Sequence, residues 1–216
     1  MLHVLVEIIP AILTDSSLRF KELIRKLEPY IHRIHIDIAD GEFVPNKTVQ
    51  GYEELKEIEA AVKFDVHLMV EKPEEHLKEW LHTHADRFII HVESKGDLLT
   101  VINELYKNRR KVGLSLNPDT PVDKIEKYLN EVDFIQFMTV YPGFQGGSFV
   151  TEVVDKIALF HKKHPDIIIM CDGGIAPETA PGLVKVGASV LVSGSYIVKS
   201  QNIEEAIKNL KIAVNA

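Results

Sequence analysis

A single (β/α)8 barrel over residues 1–216 is the fold class that the sequence predicts, on three observations. Short apolar runs alternate with longer amphipathic ones. The alternation makes about eight strand-then-helix units, the number that closes a parallel barrel ringed by helices. It continues to the last residues, with no linker, low-complexity segment or charge block to divide the chain. A doubly wound open sheet is the structural alternative, but such folds usually need fewer units.

The elements follow in order. VEIIPAIL (6–13) reads as a strand, and SSLRFKELIRKL (16–27) as a helix with Asp15 or Ser16 as its N-cap. RIHIDI (33–38) alternates polar and apolar residues as a strand does, and YEELKEIEAA (52–61) is helical. FDVHLMV (64–70) is the third strand, followed by PEEHLKEWLHTH (73–84), whose Pro73 suits a first helical turn. RFIIHV (87–92) precedes LLTVINELYKN (98–108), and KVGLSL (111–116) precedes PVDKIEKYLN (121–130). DFIQFM (133–138) leads through a glycine-rich loop to FVTEVVDKIALFHKK (149–163). IIIMCD (167–172) leads to APGLVKVG (180–187), and SVLVSG (189–194) to IEEAIKNLKIAV (203–214). Trp80 and Phe160 are expected to pack helices against the barrel, while EELKEIEA and EEHLKEW are expected to be solvated helix faces.

Composition narrows the function. The formal net charge is −7, from 25 Lys+Arg against 32 Asp+Glu, which argues against a nucleic-acid or anionic-membrane partner. It leaves room for a local pocket that takes a small anion. The one cysteine, Cys171, excludes an intrachain disulfide and lies in an apolar run, as a buried small hydrophobe would. No charged-then-apolar leader opens the sequence and no apolar stretch reaches spanning length. A cytoplasmic protein is the expectation.

In a barrel of this type active sites form at the C-terminal ends of the strands. His35 and Asp37 end the second strand, His67 lies in the third, His91 and Glu93 close the fourth, and Asp172 ends the seventh. A mixed His/Asp set is the ligand chemistry of a divalent ion such as Zn, Mn, Fe or Co. Singly, a strand histidine is more often a hydrogen-bonded core residue, and a strand-end aspartate is often a helix cap. Together they would converge on one mouth, where buried carboxylates need compensating positive charge. The residues alone leave open whether His91 and Glu93 belong to the set.

Glycine-rich loops form a second constellation: PGFQGG (142–147), DGGI (172–175) and SGSY (193–196) follow the sixth, seventh and eighth strands. Glycine lets backbone N–H groups approach an anion, and the last loops of such barrels commonly hold a phosphate.

HIDIADGEFVPN, VHLMVEKPEEHL, LSLNPDTPVDKI, FMTVYPGFQGGSF and DGGIAPETAPGLVKVGASVLVSGSYIV together make the chain, almost end to end, resemble the ribulose-phosphate 3-epimerases. The resemblance implies one divalent metal (Zn, Fe, Mn or Co) on His35, Asp37, His67 and Asp172, in preference to His91 and Glu93. It implies that Asp37 and Asp172 also form the acid/base pair of an epimerisation at C3 of a ketose phosphate. D-ribulose 5-phosphate to D-xylulose 5-phosphate is the expected reaction. An allulose-6-phosphate-type 3-epimerase and a weakly active sugar-phosphate-binding homologue are the alternatives. Substrate contacts are implied for His35, His67, Gly143, Phe144, Gln145, Gly146, Gly173, Gly174, Gly194 and Ser195, with Ala11, Ala39, Met69 and Met138 lining the pocket. A homo-oligomer is expected. The chain departs from the family pattern at Ala11 (a serine in the family), Ala39 (a methionine), and Tyr141 and Gln145 in the phosphate loop. A barrel decarboxylase or aldolase would instead show a strand-end lysine, and no predicted strand end carries one.

Overall fold

A computed structural model describes residues 6–215. Eight parallel strands close into a barrel in sequence order, β1 (Glu7–Ile12), β2 (Arg33–Ala39), β3 (Lys63–Met69), β4 (Arg87–His91), β5 (Lys111–Leu116), β6 (Phe134–Met138), β7 (Ile168–Asp172) and β8 (Val190–Ser193). Each strand pairs with its sequence neighbours, and β8 returns to β1 through Glu7↔Val190 and Pro10↔Ser193. The predicted fold class is thereby borne out.

The main helices are α1 (Ser17–Leu27), α2 (Tyr52–Lys56), α3 (Pro73–Trp80), α4 (Leu98–Lys107), α5 (Asp123–Glu126), α6 (Glu152–Lys163), α7 (Ala180–Lys185), α8 (Ser195–Val198) and α9 (Ile203–Asn215). Ser16, one of the two expected caps, begins α1 by accepting a hydrogen bond from Arg19 N. Phe20, Leu23, Ile24 and Leu27 recur at helical spacing and face the barrel. Trp80 and Phe160 are buried between helices and sheet, as expected. None of the helices among the described residues is long and apolar enough to cross a membrane.

Several helical spans differ from expectation: α3 ends at Trp80 rather than 84, and three more stand out. α2 ends at Lys56 rather than near 61, because only Leu55 of this helix is buried and Glu57 and Ile58 fold back in i→i+3 turns. The stretch 121–130 is a single turn, α5, followed by a 3-10 turn at Leu129–Glu131, again held by i→i+3 bonds. The short α8, directly after β8, was not expected.

Two cores result. The larger lies between the strands and the helices. The second core lies inside the barrel and consists of Ile9, Ala11, Ile89, Phe134, Met170, Val190 and Val192. Polar side chains on β2 to β6 share the interior with it: His35, Asp37, Asp65, His67, His91, Ser115 and Gln136 are all buried. Strand alternation explains this, since residues two apart on one strand share a face.

Candidate active site

Parallel register stacks the polar residues in layers. On β2 and β3, His35 pairs with Asp65 and Asp37 with His67. Arg33, Asp65 and Arg87 form the floor, at the N-terminal ends of the strands. Arg33 Nη1 lies 2.6 Å from Asp65 Oδ1 and 2.6 Å from Asp86 Oδ1, and Arg87 grips both Asp65 oxygens at 2.6 Å. Burial opposes the charge on Asp65, but its His35 and Arg87 neighbours hold its pKa down at about 2.

The mouth is different. His35, Asp37, His67 and Asp172 each offer one ligand atom, all within 4.8 Å of one another. His67 Nδ1 meets Asp37 Oδ1 at 2.9 Å and Asp172 Oδ2 at 3.4 Å. His35 Nε2 faces the same two carboxylates at 3.5 and 3.7 Å. Both ring nitrogens of His35 are buried without a hydrogen-bond partner. Burial disfavours a proton on His35, yet the surrounding Asp37, Asp65 and Asp172 raise its pKa to about 10. His67 is also raised, with Asp172 and Asp37 overcoming burial. Asp37 is held well below the carboxylate range, because His35 and His67 outweigh burial.

Two histidines with raised pKa values beside two carboxylates make a cluster that favours positive charge. A divalent ion fits this donor set. It would occupy the unpartnered lone pair of His35 and neutralise two carboxylates that otherwise share a small volume. His91 and Glu93 stand outside this group: His91 lies behind His67, with Nε2 to Nε2 at 2.8 Å, and Glu93 lies behind His91.

Above the cluster a pocket opens. Asp37 and Asp172 reach its surface, 8% and 7% exposed, whereas His35 and His67 are fully buried beneath them. Its walls include Ala11, Met69, Met138, Gly143, Phe144, Gln145, Gly146, Gly173, Gly174, Gly194 and Ser195, all expected from the sequence. Ala39 does not line it; this residue is covered in a small cluster with Val44 and Met69, and Met69 forms the wall there. Leu13, Val140 and Pro142 also line the pocket and were not expected. At Gly173, φ is +109° and a Cβ would meet Val140 at 2.3 Å, so only glycine fits this turn.

Residues 7–198 match the model of the ribulose-phosphate 3 epimerase family. The chain belongs to the ribulose-phosphate 3-epimerase family. It is 35% identical to the ribulose-phosphate 3-epimerase of Bacillus subtilis over 185 residues, covering 82% of this chain and 85% of that one. It is 32% identical to the ribulose-phosphate 3-epimerase of Schizosaccharomyces pombe, covering 96% and 93%. The barrel itself is shared more widely. A KGPDC structure from Streptococcus mutans superposes with a TM-score of 0.73 at 10% identity, covering 99% of this chain and 98% of that one. A 3-hexulose-6-phosphate synthase superposes with a TM-score of 0.69 at 16% identity, covering 96% and 99%. Membership of the epimerase family makes the protein an isomerase acting on carbohydrates.

Within the epimerase barrel two of the residues noted above as departures, Ala11 and Gln145, meet. Gln145, from the loop after β6, donates from Nε2 to the carbonyl of Ala11 at 3.3 Å. The same nitrogen lies 3.2 Å from where a Cβ on Gly194 would sit. The carboxamide therefore fills the space beside the Ala11 methyl.

Proposed function

We propose that the protein inverts C3 of a ketose phosphate, converting D-ribulose 5-phosphate to D-xylulose 5-phosphate, with Asp37 and Asp172 as the two proton-transfer groups. The observation that carries this reading is the layering of the site. Two carboxylates, and not the two imidazoles, reach the pocket surface. They come from β2 and β7, with β1 and β8 between them, so they can address a flat substrate from two sides. One carboxylate takes the proton from C3, the electron pair moves into the C2 carbonyl, and an enediolate forms. The other, entering protonated, returns a proton to the opposite face of C3. The two then hold exchanged protonation states, ready for the reverse reaction.

His35, Asp37, His67 and Asp172 would hold one divalent ion. When bound, it supplies Lewis-acid stabilisation of the charge that develops on the substrate oxygens. Met69 and Met138 give the intermediate an apolar surface and keep water away. The loops at Gly143–Gly146, Gly173–Gly174 and Gly194–Ser195 line the far side, where their backbone N–H groups would take the phosphate and anchor the sugar.

Ala11 and Ala39 raise the alternative of a roomier site for a hexose phosphate such as D-allulose 6-phosphate. The Gln145 carboxamide beside Ala11, and the cover of Val44 over Ala39, favour the pentose. The test is metal analysis of the purified protein together with turnover on both sugars. Faster inversion of ribulose 5-phosphate, with metal near one per chain, is the expected result. Preference for allulose 6-phosphate would overturn the substrate. Tight binding of either sugar without turnover would make the protein a binding homologue.

Among the described residues no lysine ends a strand at the mouth. Lys63 and Lys111 begin β3 and β5 at the opposite rim, and Lys156 is tied to the carbonyls of Asn117, Pro118 and Thr120. A Schiff-base or lysine-assisted decarboxylation chemistry finds no support in this arrangement.

A further inference from the structure

His91 is buried and Glu93 half-buried next to the site, but they reach neither the pocket nor the ligand group. Their geometry is directional. The rings of His67 and His91 have centroids 5.0 Å apart and planes within 20° of one another. With Nε2 to Nε2 at 2.8 Å, the rings meet end to end, as an N–H···N hydrogen bond requires. On its far side His91 Nδ1 meets Glu93 Oε2 at 3.1 Å. The other oxygen of Glu93 accepts from Asn117 N at 2.8 Å and from the Thr120 hydroxyl.

An ionised carboxylate only accepts hydrogen bonds. Glu93 therefore calls for the His91 proton on Nδ1, which leaves His91 Nε2 as an acceptor. His67 must then donate from its own Nε2, so its Nδ1, which faces Asp37 and Asp172 at 2.9 and 3.4 Å, is the nitrogen left to take a metal in place of a proton. Gln136 Nε2 also lies 3.2 Å from His67 Nε2, but its two hydrogens have two oxygen acceptors within 3.4 Å, Ser115 Oγ and Asp172 Oδ2. His67 is not needed as their acceptor.

We infer that His91 and Glu93 are positioning residues: they lock His67 in the one tautomer, Nε2–H, that presents Nδ1 to a divalent metal. The inference rests on the metal reading above. Thr120 and Asn117, by fixing Glu93, anchor the chain of bonds to the loop after β5.

The test uses zinc-loaded protein carrying 15N-labelled histidine, with chelator competition to measure metal affinity. In the wild type His67 should show a protonated Nε2, and His91 a protonated Nδ1. His91→Phe should weaken zinc binding by about 10–100-fold and change the visible spectrum of the cobalt-substituted protein. His91→Gln, which keeps an acceptor oxygen, should recover most of the affinity. If His91→Phe does not fold, Glu93→Gln keeps the shape without the charge, and zinc binding should still weaken by about tenfold. Wild-type affinity and an unchanged His67 tautomer in these variants would overturn the inference while leaving the metal site intact. A wild-type protein that binds no zinc, cobalt, iron or manganese would overturn the metal reading itself, and the inference with it.

Discussion

The floor and the mouth of this barrel are built from the same chemistry and differ in how far it is satisfied. On the floor, Asp65 receives Arg33 and Arg87 at 2.6 Å, and Asp86 takes the second prong of Arg33 at 3.0 Å. Every charge there has a partner in bonding range. One layer higher, Asp37, Asp172 and His67 crowd together while His35 finds no hydrogen bond at either nitrogen. Evenly matched charges make a plug. Charges left short of a partner make a place for something else to bind. The distinction separates structural from chemical residues on strands where both have the same alternation.

The comparison can be broken in several ways. The largest effect belongs to the mouth. Asp37→Asn and Asp172→Asn should each lower turnover by about 10²–10⁴-fold in both directions, the usual range for losing an acid/base group. Denaturant midpoints should hardly fall. Turnover in D₂O should place deuterium at C3 of the product, and wild-type activity in either variant would end the two-carboxylate mechanism.

The floor should respond the other way round. Asp65→Asn leaves two buried-side guanidiniums short of a partner and should cost about 3–5 kcal/mol in urea unfolding. Its effect on metal content should be smaller than that of His35→Ala, which removes a proposed ligand outright. The Asp65 carboxyl is depressed to about 2 from an ordinary 3.8, so its stabilisation is present above the higher value and is lost as pH falls toward the lower one. Acid unfolding of Asp65→Asn should therefore be shallower between these values than that of the wild type.

A third measurement sharpens the contrast. His35 and His67 have raised pKa values in the metal-free site, so both are drawn toward the protonated form at neutral pH. Metal must displace those protons. Adding it to metal-free protein in weak buffer should release about one or two protons per ion, and affinity should fall as pH is lowered. Metal uptake without proton release would show that the mouth is not short of positive charge.

The smallest expected change concerns the phosphate side. Gly194 has φ of −86°, so it is not in the left-handed region, and a Cβ there would press on the movable Gln145 amide at 3.2 Å and touch Ala11 Cβ at 3.8 Å. Gly194→Ala should raise KM severalfold with kcat little changed, on the order of 1 kcal/mol of uniform binding. An unchanged KM would move the anion elsewhere.

Much of this was legible in the sequence because strands of a barrel announce their inward face by alternation. His35, Asp37, His67 and Asp172 fall at strand ends and share that parity, and the glycine loops follow in order. The same parity marked Arg33, Asp65 and Arg87, but charged residues at the start of a strand look like solvated ends until the partners across three strands are known. Alternation also brought His91 inward without saying that His67 stands between it and the carboxylates. That distinction depends on distances between neighbouring strands, not on spacing along any one of them. The shortening of α2 and α5 was hidden for a related reason: helical spacing was present, but too few residues had a surface to bury against.

The seam between β1 and β8 has a consequence for synthesis. Every other ladder joins neighbours along the chain, while this one joins residues 7–10 to 190–193 and must wait for nearly the whole polypeptide. Asp37 and Asp172 sit on the strands that flank this seam, reaching toward each other across it. The two carboxylates proposed above as the proton-transfer pair are therefore framed only once β8 closes the barrel onto β1. A stalled chain that ends before β8 would carry both aspartates and no working site.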